Sequence, residues 1–522
     1  MKQLQKSLSS LYLPVLVKTM FWLFPALLSV LVGLVVIDAG FVSDDSIAIS
    51  NNPIVTQGLS LGEALQRDFC GTPLSQPSRV LVWRPLLPIA WKYIWKLGDG
   101  SAVPFRVATL VLHLLTTMTV LAVGKKLLSN KSILFMTGIL FSVHPIHSEV
   151  LGSLVSQADI VSTMLGMVGI WIALAHVRRW RQSILLVIVL GLACLAKETA
   201  VIFCGIIIVI AWVQGQTTWG ERLAKSFPAL LIGVAIIVFQ ILIERGGRNP
   251  INNLAYCATG FERTLHGLYI IGRSISMCFI PVGLTPSHDY AAVDLSLSTL
   301  LPYSLLAVLL LILCCAFFLR AVETHNIAWI SGIALLVGPA FIQSSLVVCV
   351  NTEFAERLLY SSSIAGSAIT AALLFVILKR PVYRWIGFTL VAGLFLLQSW
   401  HVGKQWRDNI TLFEYAVGVE PLSWRAHNNY AMSLARKKEI EEALWHYMVA
   451  AYILSHRPLP VTPTPIFTLS KFPIAQRLIE GPAVFSPNDP RHFIKFYFDH
   501  LIAVFNFPHG VAILAPYYKE RY

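Results

Sequence analysis

SILLVIVLGLACLAKETAVIFCGIIIVIAWV, residues 183–213, is a run of about 30 residues, apolar except at Lys197 and Glu198. Arg178, Arg179 and Arg181 precede it, and Arg222 and Lys225 follow. A single tilted span would put one basic flank on each side of a bilayer, against the bias of Lys and Arg toward the cytoplasm. Two spans of about 15 residues reach only about 22 Å each at 1.5 Å per residue, short of the roughly 30 Å hydrocarbon core. The sequence therefore predicts a short hairpin whose tip, Lys197 and Glu198, is recessed below the outer surface. Charges in such a place are costly and usually functional.

The chain around this hairpin has the composition of a polytopic membrane protein. Of its 522 residues 56% are hydrophobic and 13% charged, and the mean hydropathy of +0.69 is too high for a soluble globule of this size. The net charge of +13 is concentrated in six short segments: Lys2, Lys6 and Lys18; Lys125, Lys126 and Lys131; Arg178, Arg179 and Arg181; Arg222 and Lys225; Arg320; and Lys379, Arg380 and Arg384. These fifteen residues, accompanied only by Glu221 and Glu323, carry the whole net charge. The basicity is thus a topology signal, with all six segments cytoplasmic, and nucleic-acid binding is excluded.

With those segments inside, about eleven spans are expected, at 15–37, 103–123, 133–143, 159–176, the hairpin pair, 227–243, 300–319, 327–348, 359–378 and 386–400. The fold class is an all-α polytopic helical bundle occupying 1–400, N-terminus inside, with long outer loops at 38–102 and 245–299. The first apolar run is too long for a signal h-region and reads as a retained span. Within the first loop, 80–98 interleaves Trp83, Trp91, Trp95 and Tyr93 with Arg84, Lys92 and Lys96, as a helix lying in the interface does. In the second loop, 263–283 is apolar but broken by Arg263, His266, Gly267 and Arg273, and reads as interfacial or re-entrant. Cys70 and Cys257, both in outer segments, could form a disulfide; no cysteine spacing suggests a metal.

From His401 the composition turns soluble, so 401–522 forms a small extracytoplasmic domain. Residues 422–454 carry the small and aromatic spacing of a TPR hairpin at Trp424, Tyr430, Ala431, Ala443, Tyr447 and Ala450, with 411–419 as a preceding helix. The hairpin suits a docking surface. A tail rich in proline follows, ending in an aromatic helix near 493–507.

This topology gathers ionisable residues on one face. Asp44 and Asp45 follow the first span in DAGFVSDDSIAISNNP, 38–53; alone, such a pair is an ordinary helix-end or loop feature. Arg84 joins them, with His144, His147 and Glu149 after the third span, Asp159 at the start of the fourth, Lys197 and Glu198, then Glu353, Glu356 and Arg357. Arg84 suits either snorkelling or phosphate, Lys197 could simply pair with Glu198, and Glu356 with Arg357. His144, His147 and Glu149 could hold a divalent metal, the one cofactor the sequence suggests, or cap a helix end. Outside the cytoplasm no nucleotide sugar is at hand, so a transferase there needs a lipid-borne donor. A polyprenyl phosphate sugar fits, given a carboxylate to take the acceptor's proton and cations for the departing phosphate.

FVSDDSIAISNNP, WRPLLPIAW, FSVHPIHSEVLGSLVSQADIVS, GLACLAKETAV and AERLLYSSS occur here in that order. The chain thereby resembles the transmembrane and TPR-containing O-mannosyltransferases of the GT-C superfamily, over nearly the whole membrane region and the TPR position. The resemblance implies inverting transfer of a hexose, mannose in the characterised relatives, from a polyprenyl phosphate to a protein hydroxyl. It implies Asp44 as base, Asp45 being the alternative. Arg84, Lys197 and Arg357 would bind donor phosphate, and His144, His147, Glu149, Asp159, Glu198 and Glu356 would line the pocket. The TPR region is much shorter than the family's. A bacterial inner membrane is the expected location, with the C-terminal domain periplasmic and the endoplasmic reticulum the other choice. Two readings from other classes are a transporter or lipid flippase, which needs charges along a path to both sides, and a scaffold presenting the TPR hairpin, which would tolerate loss of the acidic pair.

Overall fold

The computed structural model describes residues 19–76, 82–175, 177–214, 218–243, 260–286, 288, 297–347 and 354–455. Cys257, Glu353 and the tail from 456 lie outside these, so the expected disulfide and aromatic tail helix do too. Helix α1 (Thr19–Val36) leads into a loop carrying short helices α2 (Pro53–Thr56) and α3 (Leu61–Leu65) and the amphipathic α4 (Leu86–Leu97). Then come α5 (Val103–Leu127), α6 (Lys131–Ser142), α7 (His147–Gly152), α8 (Gln157–Ala173), α9 (Arg179–Ala196), α10 (Val201–Val213) and α11 (Trp219–Ile243). The second half holds α12 (Gly260–Met277), α13 (Leu297–Glu323), α14 (Ile327–Gln343), α15 (Ser362–Ile377) and α16 (Pro381–Gly403), and after it α17 (Asn409–Val419), α18 (Trp424–Arg436) and α19 (Ile440–Ser455).

Seven of the described helices are long and apolar enough to cross a membrane: α1, α5, α8 with the turn before it, α9, α11, α13 and α16. Shorter apolar helices, α6, α10, α14 and α15, stand at the other expected spans. The protein is an all-α, multi-pass integral membrane protein. Residues 183–213 do fold as a hairpin, broken where Lys197 is extended (φ −160°) between α9 and the single turn that opens α10. Lys197 is buried there.

The bundle has two chemically distinct ends. At one, Lys126 Nζ reaches the Leu174 carbonyl at 3.4 Å, Arg179 reaches Thr218 at 2.9 Å and His325 reaches the Val213 carbonyl at 2.6 Å. Five of the six basic segments have residues at this end in the described chain. Lys197, after the last turn of α9 and so at the opposite end, stands there with Arg84, Glu149, Asp159, Glu198 and Arg357.

Helix α12, expected at the interface or re-entrant, packs within the bundle against α13 and α14, with Tyr269, Ile270, Ile271 and Ile275 buried. Gly272 makes this possible, because a Cβ there would stand 2.2 Å from the Tyr303 carbonyl oxygen.

The C-terminal helices are not a detached module. Trp424, Tyr430, Ala431, Ala443, Tyr447 and Ala450 are all buried. A lone hairpin cannot bury both faces, and here α17 and the end of α1 supply the rest. Val32, Val36, Ala39 and Val42 share one core with Leu412, Phe413, Ala416, Ala431 and Tyr447. Trp406 joins it by lying against Gly152, where any Cβ would collide with the indole.

Candidate active site

The acidic pair sits on a turn that treats its two members in opposite ways. Ser43 adopts a left-handed conformation, φ +56°, which a residue with a Cβ takes only at some cost. Its N–H donates to Asn409 Oδ1 at 2.7 Å, holding the turn from α17. Asp44 then faces outward, exposed, while Asp45 points inward and is fully buried. The turn runs on into a wide coil in which Asn51 N–H reaches back five residues to the Ser46 carbonyl. Asn52 then caps α2, whose first residue is Pro53, an arrangement in which the missing N–H loses nothing.

Asp45 is a structural knot. Its carboxylate accepts from the backbone N–H groups of Val42 and Val155, both at 3.1 Å, and lies 3.8 Å from Arg106. Burial pushes this carboxyl up to about 7, against the pull of Arg106 and the two N–H groups. Arg106, itself buried, donates to the carbonyls of Ala39, Gly40, Leu151 and Gly152. An Asp45→Asn change turns one acceptor into a donor facing a backbone N–H. It is expected to remove about 1–3 kcal/mol of stability, read as a lower unfolding midpoint in detergent. An unchanged midpoint would return Asp45 to the list of possible bases.

Three cation–carboxylate pairs face the same region from distant parts of the chain. Arg84 grips Glu198 bidentately, Nε to Oε2 at 2.7 Å and Nη2 to Oε1 at 2.5 Å. Lys197 Nζ stands 2.6 Å from Asp159 Oδ1, on side chains 4% and 6% exposed, so little solvent screens the pair. Arg357 meets Glu149 through its backbone N–H at 2.8 Å and Nη1 at 2.5 Å. The expected pairings within Lys197–Glu198 and Glu356–Arg357 are therefore both corrected: sequence neighbours take partners from other segments. Each of Arg84, Lys197 and Arg357 lies within electrostatic range of Asp159, and both Arg84 and Lys197 feel Arg357. Asp44 belongs to the same field. Although burial opposes charge on Arg357, Glu149, Asp44 and Asp159 outweigh it and hold the guanidinium above its ordinary range.

The histidines lie deeper. His144 and His147 are completely buried. His144 uses Nε2 on the Cys278 carbonyl and Nδ1 on the Ile146 N–H. His147 Nε2 meets Ser363 Oγ at 2.9 Å. Both His144 nitrogens and the Glu149 carboxylate are thus committed, and among the described residues no group of three His, Cys, Asp or Glu is placed to hold a metal ion. His144, His147 and Glu149 do not form a ligand set.

Glu356 belongs to a second knot. It accepts from the Thr285 N–H at 2.7 Å and from His288 Nε2 at 2.8 Å. His288 Nδ1 lies 2.7 Å from Glu420 Oε1, which also meets Arg273 at 3.3 Å. Burial disfavours the charged imidazole, but Glu420 and Glu356 outweigh it and raise His288 to about 9. Protonated, it donates from both nitrogens. The sign follows: its contribution is complete below the ordinary histidine value of about 6.5 and is lost as pH rises through about 9. His288→Gln is expected to flatten the fall in unfolding midpoint between those limits. A pH profile parallel to that of the unaltered chain would show that His288 is neutral.

Sequence reasoning overlooked Arg106, His288, Asn409 and Glu420. Only Arg106 carried a usable signal, a cation one turn inside an apolar span. His288 and Glu420 sit in segments without periodicity, and only the fold brings them to Glu356.

Comparison with known proteins found no matching family model and no matching solved structure, but several sequence relatives. A protein O-mannosyl-transferase of Caenorhabditis elegans is 23% identical over 431 residues, covering 80% of this chain and 61% of the relative. Protein O-mannosyl-transferase TMTC3 of Homo sapiens is 24% identical over 458 residues, covering 79% and 49%. Protein O-mannosyl-transferase Tmtc2 of Drosophila melanogaster reaches 31% over 267 residues, covering 48% and 28%. The chain spans between about half and three-fifths of the length of the first two. Over most of its own length, this chain is a homologue of proteins named protein O-mannosyl-transferases.

Proposed function

We propose that the chain is a membrane glycosyltransferase that moves a hexose, mannose on the strength of its relatives' names, from a polyprenyl phosphate to a protein hydroxyl. The observation that carries this reading is the meeting of Arg84, Lys197 and Arg357 within one field at the same end of the bundle as the exposed Asp44. That end is extracytoplasmic if the basic ends of the helices are cytoplasmic.

In the reaction, the acceptor oxygen attacks the sugar's C1 from the face opposite the phosphate, and Asp44 takes its proton. The C1–O bond to phosphate breaks, its electron pair stays on the phosphate oxygen, and the configuration inverts. Arg357 and Lys197 stabilise that charge, the guanidinium as a fork and the ammonium as a point charge. Arg84 keeps the hairpin tip in place through Glu198. The α18–α19 hairpin offers the acceptor a docking surface, within a C-terminal unit that runs from 401, and a bacterial inner membrane suits the whole.

The test is mass spectrometry of O-linked hexose on extracytoplasmic proteins, from cells with the chain, without it, and with Asp44→Asn. Loss of the same glycopeptides in the latter two supports the reading. Glycopeptides that persist without the chain would overturn it.

A further inference from the structure

Helix α17 touches the site at both of its ends. At the first, Asn409 accepts the Ser43 N–H at 2.7 Å, and Asp44 is the next residue along that turn. The turn needs a hold from outside, since Ser43 is left-handed at φ +56° and such a conformation persists only when its surroundings fix it. At the other end Glu420, whose N–H closes the last turn on the Ala416 carbonyl, places its carboxylate on Arg273 and His288. Through His288 it reaches Glu356, and Arg357 is the residue after Glu356 on one short helical turn. Between the two ends, eleven residues span about 16 Å. Leu412, Phe413 and Ala416 along them are buried in the core shared with α1 and α18.

We infer that α17 is a strut that sets the separation between Asp44 and Arg357, with Asn409 and Glu420 as positioning residues for the proton acceptor and the phosphate ligand. This rests on the roles given to Asp44 and Arg357 above. Nothing in the strut touches substrate. Asn409 holds Asp44 through one peptide N–H, and Glu420 holds Arg357 through one imidazole and one carboxylate. Because the strut's middle is packed against α18, a load on the C-terminal hairpin is carried to both chemical groups together.

The two ends make separable predictions, read on the full chain in detergent with mannosyl-phosphoryl-polyprenol as donor. Total membrane protein from cells lacking the chain serves as acceptor. Asn409→Ala is expected to lower kcat roughly 10- to 100-fold, the scale of a misplaced catalytic group, with donor KM unchanged. Asn409→Asp keeps the Oδ1 acceptor and is expected to restore kcat, while its negative charge moves the acidic limb of the pH profile upward. Glu420→Ala is expected to raise donor KM by about tenfold with a smaller effect on kcat, and Glu420→Gln to recover part of it. A merely structural role would move kcat and KM with the unfolding midpoint and give no rescue. Wild-type kcat in Asn409→Ala beside an inactive Asp44→Asn would end the strut and spare the function. An active Asp44→Asn would remove both.

Discussion

Replacing Asp44 by asparagine is expected to lower hexose transfer roughly 10²- to 10⁴-fold, the range that a positioned general base contributes, with no loss of folded protein. The side chain is exposed, and its backbone carbonyl, which the substitution leaves alone, makes the bonds to Ile47 and Ala48. Asparagine is isosteric but cannot take a proton. Asp45→Asn is the contrasting case, since its carboxylate is bonded to Val42 and Val155: stability falls there, and activity falls only as folded protein is lost. Transfer at the wild-type rate by folded Asp44→Asn would remove that carboxylate from the chemistry.

Lys197→Met is expected to damage both folding and donor use, and a second substitution separates the two. Methionine fills much of the volume but leaves the Asp159 carboxylate, 6% exposed, without its partner. An uncompensated buried charge of this kind costs about 3–5 kcal/mol, so the single variant should be poorly recovered from membranes. Adding Asp159→Asn removes the orphan charge and should return the unfolding midpoint most of the way. Donor use should stay low in the double variant, because the ammonium that meets the departing phosphate is still missing. Donor KM and kcat at wild-type values in the double variant would make Lys197 a purely structural ion.

The sequence was informative where one residue type decides the matter within a short window. Lys197 and Glu198 interrupt an apolar run that is otherwise continuous, so the hairpin and its recessed tip could be read directly. Asp44, Arg84 and Arg357 could be placed at one end because basic residues mark the opposite ends of the spans. Partner choice could not be read the same way. Lys197 and Glu198 are adjacent, yet the extended residue between the two helices turns them to different neighbours, Asp159 and Arg84. Glu356 and Arg357 part in the same manner, to His288 and Glu149. The imidazoles of HPIHSE looked like ligands on composition, but both rings lie in the core at the start of α7, where backbone and hydroxyl partners take three of their four nitrogens. Helix α12 read as interfacial or re-entrant because its polar residues break the hydropathy. In the fold the half-buried Arg273 is paired with Glu420, and Gly272 lets the helix approach Tyr303 closely.

Arg106 has one more consequence, for the order in which the chain is made. Its guanidinium is held by carbonyls from two segments, 39–40 before α5 and 151–152 after it, so when α5 leaves the ribosome half of that cradle has yet to be translated. The nascent helix must wait at the translocon with a cation lacking those acceptors, and its final depth is set only once α6 and α7 have emerged. Chains cut after residue 130 should therefore leave α5 more open to alkaline extraction than chains cut after residue 175.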